Sequence, residues 1–547
     1  MAVRNTESHG SLFHGDDSRR TSPEGHGLET GIDVDLRDGD ERECLLDRPP
    51  ELQDSKSNAV LLAQGHKAAM QRSFSPLAAL GLGFSITNSW VGYLSCFGQN
   101  LAYAGPNSVI FGLLLAAVIQ WTISLGLSEI ASCFPSSGGQ YHFVFILAPK
   151  RSKRFAAFVV GWMNILGWSV ALSSGVSVVV ASITGLVAFW DDTFLVTQWG
   201  SYVIYLAVAV LSLSPLFLGP RLIPQILQAS LAFSVTGLII IFCLLLALRK
   251  QSQPLSFLLI TNGTSGWGIG AAWMLGLGNS MYAFSSTDAV LHIAEEMSHP
   301  ERRLPQVVNL TMTIGFMTAF PLLLVMMLSM ADINAVLQSP LPYAEVFRQI
   351  TDSKIVTTIM MCWITIILFS CLIGQWVTCG RLAWAFARDR GLPYPDFFSH
   401  ISERYGFPVR TTILALGFCS AYGILYIAST TAFNSIITSA VLFSNITYAS
   451  PQGLVAARGR KKTLPEHPFD LGRLGYVCNF LSPIFVIIVG VLICFPPELP
   501  VTRQNANYTP VVLVGFVVAI LGFWVTIGKK FEGPKIDWEV LRSVKVT

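Results

Sequence analysis

The sequence has few charged residues for its length. Only 13% of its 547 residues are Asp, Glu, Lys or Arg, whereas 52% are hydrophobic. A soluble protein of average composition carries about 25% charged residues. Half that value leaves too little polar surface to cover a chain of this size in water. The composition therefore excludes an ordinary soluble protein and predicts an all-α membrane protein that crosses the bilayer many times.

The motifs of common enzymes are also missing. The sequence has no Walker loop, no H-E-x-x-H, no G-x-S-x-G and no dinucleotide-binding fingerprint. Its ten cysteines include no C-x-x-C pair, so neither a zinc site nor a disulfide framework is indicated. His292 and Glu295 have the spacing of a metal pair, but no further ligands lie nearby in the sequence. We therefore predict that the protein is not an enzyme, and we predict no metal, cofactor or nucleic acid as a partner.

The first 57 residues contain no apolar segment of the kind found in a signal peptide. Residues 1–75 hold 14 of the 33 acidic residues and have few aromatics. Such a segment buries too little apolar surface to offset the entropy lost on ordering. We predict a disordered cytoplasmic tail over 1–75, in which the mixed segment 59–70 suits a short helix on the membrane surface. A basic cytoplasmic tail is predicted over 530–547.

Long apolar runs begin at about Pro76. A helix that crosses the hydrocarbon core needs about 20 predominantly apolar residues. Runs of this length predict a transporter-sized domain over 76–529 with about 12 transmembrane helices. They lie at about 76–102, 107–130, 155–187, 199–218, 225–248, 267–297, 306–331, 354–386, 409–429, 431–456, 476–495 and 510–528.

The distribution of Lys and Arg predicts the orientation in the membrane. With both termini in the cytoplasm, the inner loops and the C-terminal tail hold about four times as many Lys and Arg residues as the outer loops do. Cytoplasmic loops carry an excess of these residues. The glycosylation sequons at Asn262 and Asn507 then fall in outer loops. We predict a multi-pass protein of the plasma membrane with cytoplasmic termini and with Asn262 and Asn507 as candidate glycosylation sites.

Ionisable residues interrupt the sixth predicted span. Asp288, His292 and Glu295 are spaced i, i+4 and i+7, which places them on one face of an α-helix. A carboxylate near the middle of a membrane costs roughly 2.5–3.5 kcal/mol on insertion scales. This face must therefore line protein or water, and the hydroxyl residues before Asp288 suit an interrupted helix. The alternative is that Asp288 only ties two helices together.

The first predicted span has a similar interruption. Glycine and hydroxyl residues alternate with apolar ones over 81–92, which lowers the helix propensity, although close packing of small residues also explains them. Spans one to five cover 76–248, and spans six to ten cover 267–456, so each block opens with a weakened helix. Weakened helices at matching places in two halves indicate inverted repeats around a site at the midplane. Two extra helices follow the repeats.

Four segments resemble the amino acid–polyamine–organocation superfamily, and most of all its fungal amino acid/choline permease branch. The resemblance covers about 76–530. The segments are Gly83–Trp90, Ser128–Tyr141, Thr287–Glu296 and Ala385–Pro393.

The resemblance implies a five-plus-five inverted-repeat (LeuT-like) fold with substrate between broken helices one and six. The implied breaks fall near Thr87–Ser89 and Phe284–Asp288. It implies substrate contacts from Thr87, Asn88, Ser89, Trp90, Phe284, Ser285, Ser286 and Asp288. Proton-coupling candidates are Asp288, His292 and Glu295. Where many relatives have Gly and an aromatic before the acid, this chain has Ser286 and Thr287.

We therefore expect a secondary transporter that imports choline, 4-aminobutyrate or another amino acid or small amine, by the proton symport that the resemblance implies. A quaternary ammonium group would contact an aromatic face, for which Trp90, Tyr282 and Phe284 are the candidates. The alternative is a transporter-like nutrient sensor that signals through its cytoplasmic tail.

Overall fold

The computed structural model describes residues 61–62, 65–66, 69–191, 193–428, 439–502 and 505–537. Within these ranges the regular structure is helical, apart from one isolated bridge between Phe74 and Met297. The protein is therefore all-α in its described part, as the sequence predicted.

The α-helices are numbered here in chain order. They are Pro76–Thr87 (α1), Ser89–Cys133 (α2), Gln140–Leu147 (α3), Lys153–Ala188 (α4), Gln198–Leu218 (α5), Ile223–Leu248 (α6), Ile269–Ser280 (α7), Pro300–Ser329 (α8), Ile333–Gln338 (α9), Pro342–Thr351 (α10), Lys354–Arg388 (α11), Pro395–Phe398 (α12), Val409–Gly423 (α13), Leu425–Ala428 (α14), Ser439–Arg458 (α15), Arg460–Thr463 (α16), Gly472–Ile493 (α17) and Thr509–Thr526 (α18). The 3-10 helices are Pro220–Leu222, Leu255–Leu259, Met281–Phe284, Thr287–Glu296 and Gly528–Lys530.

Eight helical segments in the described ranges are long and apolar enough to cross a membrane. They are Pro76–Cys133, Lys153–Ala188, Gln198–Leu218, Pro220–Leu248, Pro300–Ser329, Lys354–Arg388, Gly472–Ile493 and Thr509–Thr526.

Eight segments are fewer than the twelve predicted spans for three reasons. Pro76–Cys133 contains the first two predicted spans, which a kink separates. The sixth is divided among α7 and two 3-10 helices. The ninth is represented by the 15-residue α13, and part of the tenth lies outside the described residues. The number twelve stays a prediction.

The kink within α2 depends on a glycine. Gly105 has φ of 70°, a value that residues with a side chain rarely adopt, and Pro106 follows it. A Cβ atom at Gly105 would come within 2.4 Å of the Asn262 side-chain oxygen. The chain can therefore turn here, and the loop that carries Asn262 closes over the turn.

Polar caps define where several of the long helices begin. The Ser75 hydroxyl accepts a hydrogen bond from the Ala78 N–H at 3.1 Å, and Pro76 occupies the first turn of α1. The Thr197 hydroxyl caps α5 in the same way. These caps satisfy N–H groups that would otherwise lack partners at the ends of apolar helices.

The segment before α1 packs against the helical bundle. His66, Met70 and Phe74 are buried, and the Phe74 N–H donates to the Glu296 carbonyl at 3.1 Å. Residues 1–60 of the predicted tail lie outside the described residues. Within the predicted surface helix at 59–70, residues 61 and 62 are helical and residues 65, 66, 69 and 70 are not. The described part of the predicted tail is therefore in contact with the bundle.

Candidate functional site

The first helix interruption is at a single residue, Asn88. Helix α1 ends at Thr87, α2 begins at Ser89, and Asn88 between them has φ of 27° and ψ of 60°. Asparagine visits this left-handed region more readily than most residues. The Asn88 N–H still bonds to the Phe84 carbonyl at 2.7 Å, which ends α1. The helix is therefore interrupted at one of the residues that the resemblance implied.

The second interruption follows the 3-10 helix Met281–Phe284. Ser285 is extended, and Ser286 has φ of 63° and ψ of 24°. The Tyr282 carbonyl accepts hydrogen bonds from the Ser285 hydroxyl at 2.9 Å and from the Ser285 N–H at 3.2 Å, so side chain and backbone together end this helix. The second helix is thus interrupted inside the segment 284–288 that the resemblance implied.

A small cavity lies between the two interruptions. Its volume is about 50 Å3, measured as space for the centre of a water molecule, and one water needs roughly 10–15 Å3 by that measure. None of the side chains that line it is charged. The lining residues are Ile86, Thr87, Asn88, Val91, Gly92, Ser95, Ala171, Gly175, Val178, Tyr282, Ser285, Ser286, Ile367, Leu368, Cys371, Gln375 and Ala440. The cavity therefore suits one small solute.

Two buried oxygens on the cavity wall have no hydrogen-bond partner within the described structure. They are Thr87 Oγ1 and Gln375 Oε1. A buried acceptor without a partner costs about 1–3 kcal/mol. A solute that donates hydrogen bonds would remove this cost. Gln375 was not among the residues predicted from the sequence, although a glutamine inside the apolar run 354–386 is a signal that could have indicated it.

Four of the eight predicted substrate contacts line the cavity: Thr87, Asn88, Ser285 and Ser286. Ser89, Trp90 and Phe284 are instead fully buried beside it. The Trp90 indole donates to the Ser234 hydroxyl at 3.1 Å, and that hydroxyl donates to Asn88 Oδ1 at 3.1 Å. Trp90 therefore supports the first interruption through Ser234.

Tyr282 is the one of the three candidate aromatic residues that lines the cavity. Its hydroxyl is 3.2 Å from the Ser174 hydroxyl, which fixes the ring against α4. Trp90 and Phe284 are packed in the hydrophobic core. An aromatic contact with a cationic solute would thus come from Tyr282.

Asp288 lies outside the cavity lining and is fully buried. Its Oδ2 accepts hydrogen bonds from Gln140 Nε2 at 2.6 Å and from Trp168 Nε1 at 3.1 Å. Its Oδ1 accepts one from the Tyr448 hydroxyl, and His292 Nε2 lies 3.3 Å from Oδ2. The carboxylate therefore joins α3, α4, α15 and the 3-10 helix Thr287–Glu296.

The expectation that Asp288, His292 and Glu295 share one α-helical face is wrong. Thr287–Glu296 is a 3-10 helix, with three residues per turn. Residues 292 and 295 are therefore in line, whereas residue 288 lies about a third of a turn away. Asp288 still reaches His292, but Glu295 does not join them. Its carboxylate forms a bidentate pair with Arg388, at 2.8 and 2.9 Å.

A second bidentate ion pair is next to the first. Glu296 accepts hydrogen bonds from the Arg381 guanidinium, one of them at 2.9 Å from Nη2 to Oε2. Both arginines belong to α11, so the end of the broken sixth span is tied to the end of α11. Beside them, Asp389 accepts a hydrogen bond from the Tyr141 hydroxyl at 3.0 Å and lies 2.9 Å from His66 Nε2.

The loops that carry the two sequons are in contact with each other. The Leu499 N–H donates to the Ser265 carbonyl at 2.8 Å, which joins the loops that carry them. Asn262 is exposed. The side-chain amide of Asn507 is instead engaged in hydrogen bonds, because its Nδ2 donates to the carbonyls of Ile493 and Phe495 at 2.6 and 2.7 Å.

One cluster has the geometry of a metal site but holds a guanidinium. Glu129, His467 and Asp470 are close enough to share an ion. Arg460, however, pairs with both oxygens of Glu129 and lies 3.3 Å from Asp470 Oδ1. The Arg460 guanidinium already occupies the position between the two carboxylates that a metal ion would take, so the donor set does not fit a cation.

A cavity between two interrupted helices, within a bundle of long apolar helices, is the architecture of a membrane transporter. The model of the family described as "Amino acid permease" matches residues 74–517. The chain therefore belongs to this family, in the amino acid–polyamine–organocation superfamily, and is a transporter and not an enzyme.

Several curated proteins are similar over most of the chain. A choline transporter of Saccharomyces cerevisiae is 31% identical over 538 residues, covering 97% of this chain and 92% of its own. A swainsonine transporter of Arthroderma benhamiae is 28% identical over 468 residues, covering 84% of this chain and 92% of its own. An uncharacterised amino-acid permease of Schizosaccharomyces pombe is 26% identical over 485 residues, covering 87% and 89%.

Proposed function

We propose that the protein imports choline across the plasma membrane by proton symport, with 4-aminobutyrate or another amino acid as the second candidate substrate. The observation that carries the choice is the cavity wall, which offers the Tyr282 ring and acceptor oxygens but no charged side chain. A quaternary ammonium group binds well on an aromatic face. The hydroxyl of choline can donate to one of the unpaired acceptors, Thr87 Oγ1 or Gln375 Oε1.

The helix ends around the cavity add to this proposal. Helix α1 and the helix that ends at Phe284 both present carboxyl ends at the interruptions, and such ends favour a positive charge. An amino acid would add a carboxylate, which would have the amino ends at Ser89 and Thr287 but no Lys or Arg in the wall. The relative that is named a choline transporter supports the same order of substrates.

For proton coupling, the proposal rests on the pair Asp288 and His292. His292 Nδ1 is 3.0 Å from the Ser137 carbonyl, which can only accept, so Nδ1 carries a hydrogen. The other ring nitrogen, His292 Nε2, faces Asp288 Oδ2. Without a proton on either atom, a lone pair of the nitrogen would face a lone pair of the oxygen, so one proton lies between them. Releasing that proton leaves a buried negative charge, which is costly. Proton release and uptake would therefore change the hydrogen bonds that join four elements.

We also propose twelve membrane crossings and the five-plus-five inverted repeat, with both termini in the cytoplasm. Each proposed half, 76–248 and 267–456, begins with a helix that is interrupted inside the bundle. The exposed Asn262 lies at the end that would face outward. Residues 1–60 of the tail that a sensor would use lie outside the described ranges.

The proposal is tested by uptake in yeast that lacks its own choline and 4-aminobutyrate permeases. Labelled choline, 4-aminobutyrate and a set of amino acids are compared at several external pH values. We expect saturable choline uptake that rises as the external pH falls. If the cells take up 4-aminobutyrate but not choline, 4-aminobutyrate becomes the proposed substrate. Uptake of neither compound would overturn both substrate assignments.

Variants then separate binding from coupling. Tyr282→Leu and Gln375→Leu should raise KM for choline at least about tenfold with little change in the maximum rate, because they alter contacts with the solute. Asp288→Asn should lower the maximum rate or remove its dependence on pH. An unchanged pH profile in Asp288→Asn and in His292→Gln would contradict the coupling role of the pair. Tyr394→Phe, at an exposed residue, is the matched control.

A further inference from the structure

A second, larger cavity opens on the side of the bundle. It lies between α3, α4, α15 and α18 and has a volume of about 440 Å3, again measured as space for the centre of a water molecule. An apolar cavity of roughly 150 Å3 is enough to hold benzene. Among its lining residues are Phe155, Val159, Leu454, Val517 and Leu521. The groove is therefore large enough for a long aliphatic chain.

The wall of this groove offers nothing polar to a ligand. Its one polar residue is Ser450, and the Ser450 hydroxyl already donates to the Ile446 carbonyl at 2.7 Å. Phe155, Val517 and Leu521 are 40%, 40% and 44% exposed, so they form an open rim on the outer surface of the bundle. In a membrane protein this rim faces lipid, and the occupant that suits the wall is an acyl chain.

Cationic residues surround one end of the groove. Lys150 and Arg151 immediately precede α4, whose first turns line it, and Lys529 and Lys530 follow α18, whose last turns line it. The Arg154 guanidinium donates to the carbonyls of Phe531 at 2.8 Å and Lys529 at 3.0 Å. This link keeps the start of α4 and the segment after α18 together. The four cations are thus held at the same end of the groove.

These four cations are exposed and make no salt bridge with an acidic residue in the part of the chain that the structure describes. Glu532, the nearest acid in sequence, lies within 4 Å of Arg390 and Lys535 instead. The Phe155 ring, which lines the groove at the start of α4, meets the Trp524 ring edge to face at 5.2 Å. Tryptophan is enriched at the boundary between lipid headgroups and acyl chains.

We propose that this groove is a binding site for an anionic glycerophospholipid. One acyl chain occupies the space between α4 and α18, and the phosphate and headgroup contact Lys150, Arg151, Lys529 and Lys530. The charge at the mouth selects an anionic lipid, because basic pockets between membrane helices bind anionic headgroups. The leaflet follows from the proposed orientation and would be the cytoplasmic one. Binding itself does not depend on which solute is carried.

The test uses the purified full-length protein in detergent micelles. Phosphatidylcholine, phosphatidylserine or ergosterol is added, and bound lipid is counted by native mass spectrometry while thermal unfolding is followed. We expect phosphatidylserine to bind tightly and to raise the unfolding midpoint more than the other two do. An equal response to phosphatidylcholine, or a response to ergosterol alone, would overturn the proposal.

Two sets of variants locate the site. Replacing Lys150, Arg151, Lys529 and Lys530 with Gln should weaken phosphatidylserine binding at least about tenfold. Replacing the exposed Lys461 and Lys462, on α16 at the same end, should not. Val517→Trp should block the groove, whereas Val511→Trp, at a 67% exposed residue outside the groove lining and about a third of a helical turn away from Val517, should leave binding unchanged.

The charge variant keeps the test decisive if Val517→Trp fails to fold. Unweakened phosphatidylserine binding in the four-residue variant would exclude this site. Choline uptake in cells is measured in parallel. Loss of lipid binding with a normal choline uptake would leave the proposed function intact, and the absence of any uptake would leave the lipid result unaffected.

Discussion

The Tyr448 hydroxyl donates a hydrogen bond to Asp288 Oδ1, although 160 positions separate the two residues in the sequence. Tyr448 lies on α15 and Asp288 follows the second interruption, and both are fully buried. The bond connects the proposed proton site to a helix that also supplies part of the lipid groove. It is thus one of the contacts that must respond if Asp288 changes its protonation.

Tyr448→Phe removes this donor and leaves the ring in place. Asp288 then loses one of its four partners, and a buried acceptor without a partner costs about 1–3 kcal/mol. We expect the maximum uptake rate to fall at least about fivefold and its pH dependence to shift, with a smaller change in KM. Uptake over a range of pH measures both. A variant with normal rate and pH profile would exclude Tyr448 from coupling, with Tyr394→Phe as the control.

The left-handed backbone conformation of Ser286 allows a prediction about the stability of variants at this position. A β-branched residue at φ of 63° is strained, and such strain costs about 1–3 kcal/mol. Ser286→Val should therefore lower the thermal unfolding midpoint, whereas Ser286→Gly should not. Ser285→Val, at the extended neighbour, controls for loss of a hydroxyl. Equal midpoints for Ser286→Val and Ser286→Gly would show that the residue is free to leave this conformation.

The buried pair Glu295 and Arg388 should behave as a unit. Arg388→Met leaves the Glu295 carboxylate buried without its charged partner, which typically costs about 3–5 kcal/mol. The double variant with Glu295→Gln should recover much of the loss in thermal stability. Lys250→Met breaks an exposed pair with Asp352 and should leave thermal stability almost unchanged. No recovery in the double variant would mean that the arginine acts mainly by packing.

The environments of the two sequons differ enough to predict which one is used. Asn262 is exposed, whereas the Asn507 Nδ2, the atom that would carry a glycan, donates to two carbonyls. We expect Asn262→Gln to remove the shift in electrophoretic mobility that endoglycosidase treatment reveals in protein from yeast. Asn507→Gln should leave that shift unchanged. A glycan lost only in Asn507→Gln would contradict this ranking.

Much of the site could be predicted from local sequence, and the rest depended on contacts between distant residues. Asn88, Ser285 and Ser286 are polar residues inside apolar runs, so the positions of the interruptions were visible in the sequence. The partners of Asp288 were not, because Gln140, Trp168 and Tyr448 come from three other helices. The 3-10 geometry of 287–296 was also hidden, since the spacing of its ionisable residues matches an α-helix equally well.

The same reason explains why Tyr282 lines the cavity and the candidates Trp90 and Phe284 do not. Trp90 and Phe284 are adjacent to the interruptions in the sequence, but the helix directs them into the core, and Tyr282 faces the cavity instead. Gln375 reaches the cavity from α11, almost 90 positions beyond Ser286. Side-chain direction at an irregular backbone is set by tertiary packing, which periodicity alone does not encode.

The hydrogen bond from the Phe74 N–H to the Glu296 carbonyl has a mechanical consequence. Phe74 directly precedes α1, and Glu296 ends the 3-10 helix that carries Asp288. A tilt of α1 would therefore displace the 3-10 helix Thr287–Glu296, so the two elements are mechanically coupled. Glu296 is also paired with Arg381 on α11. The joint movement of α1 and the 3-10 helix would therefore be resisted by α11 until the ion pair between Glu296 and Arg381 separates.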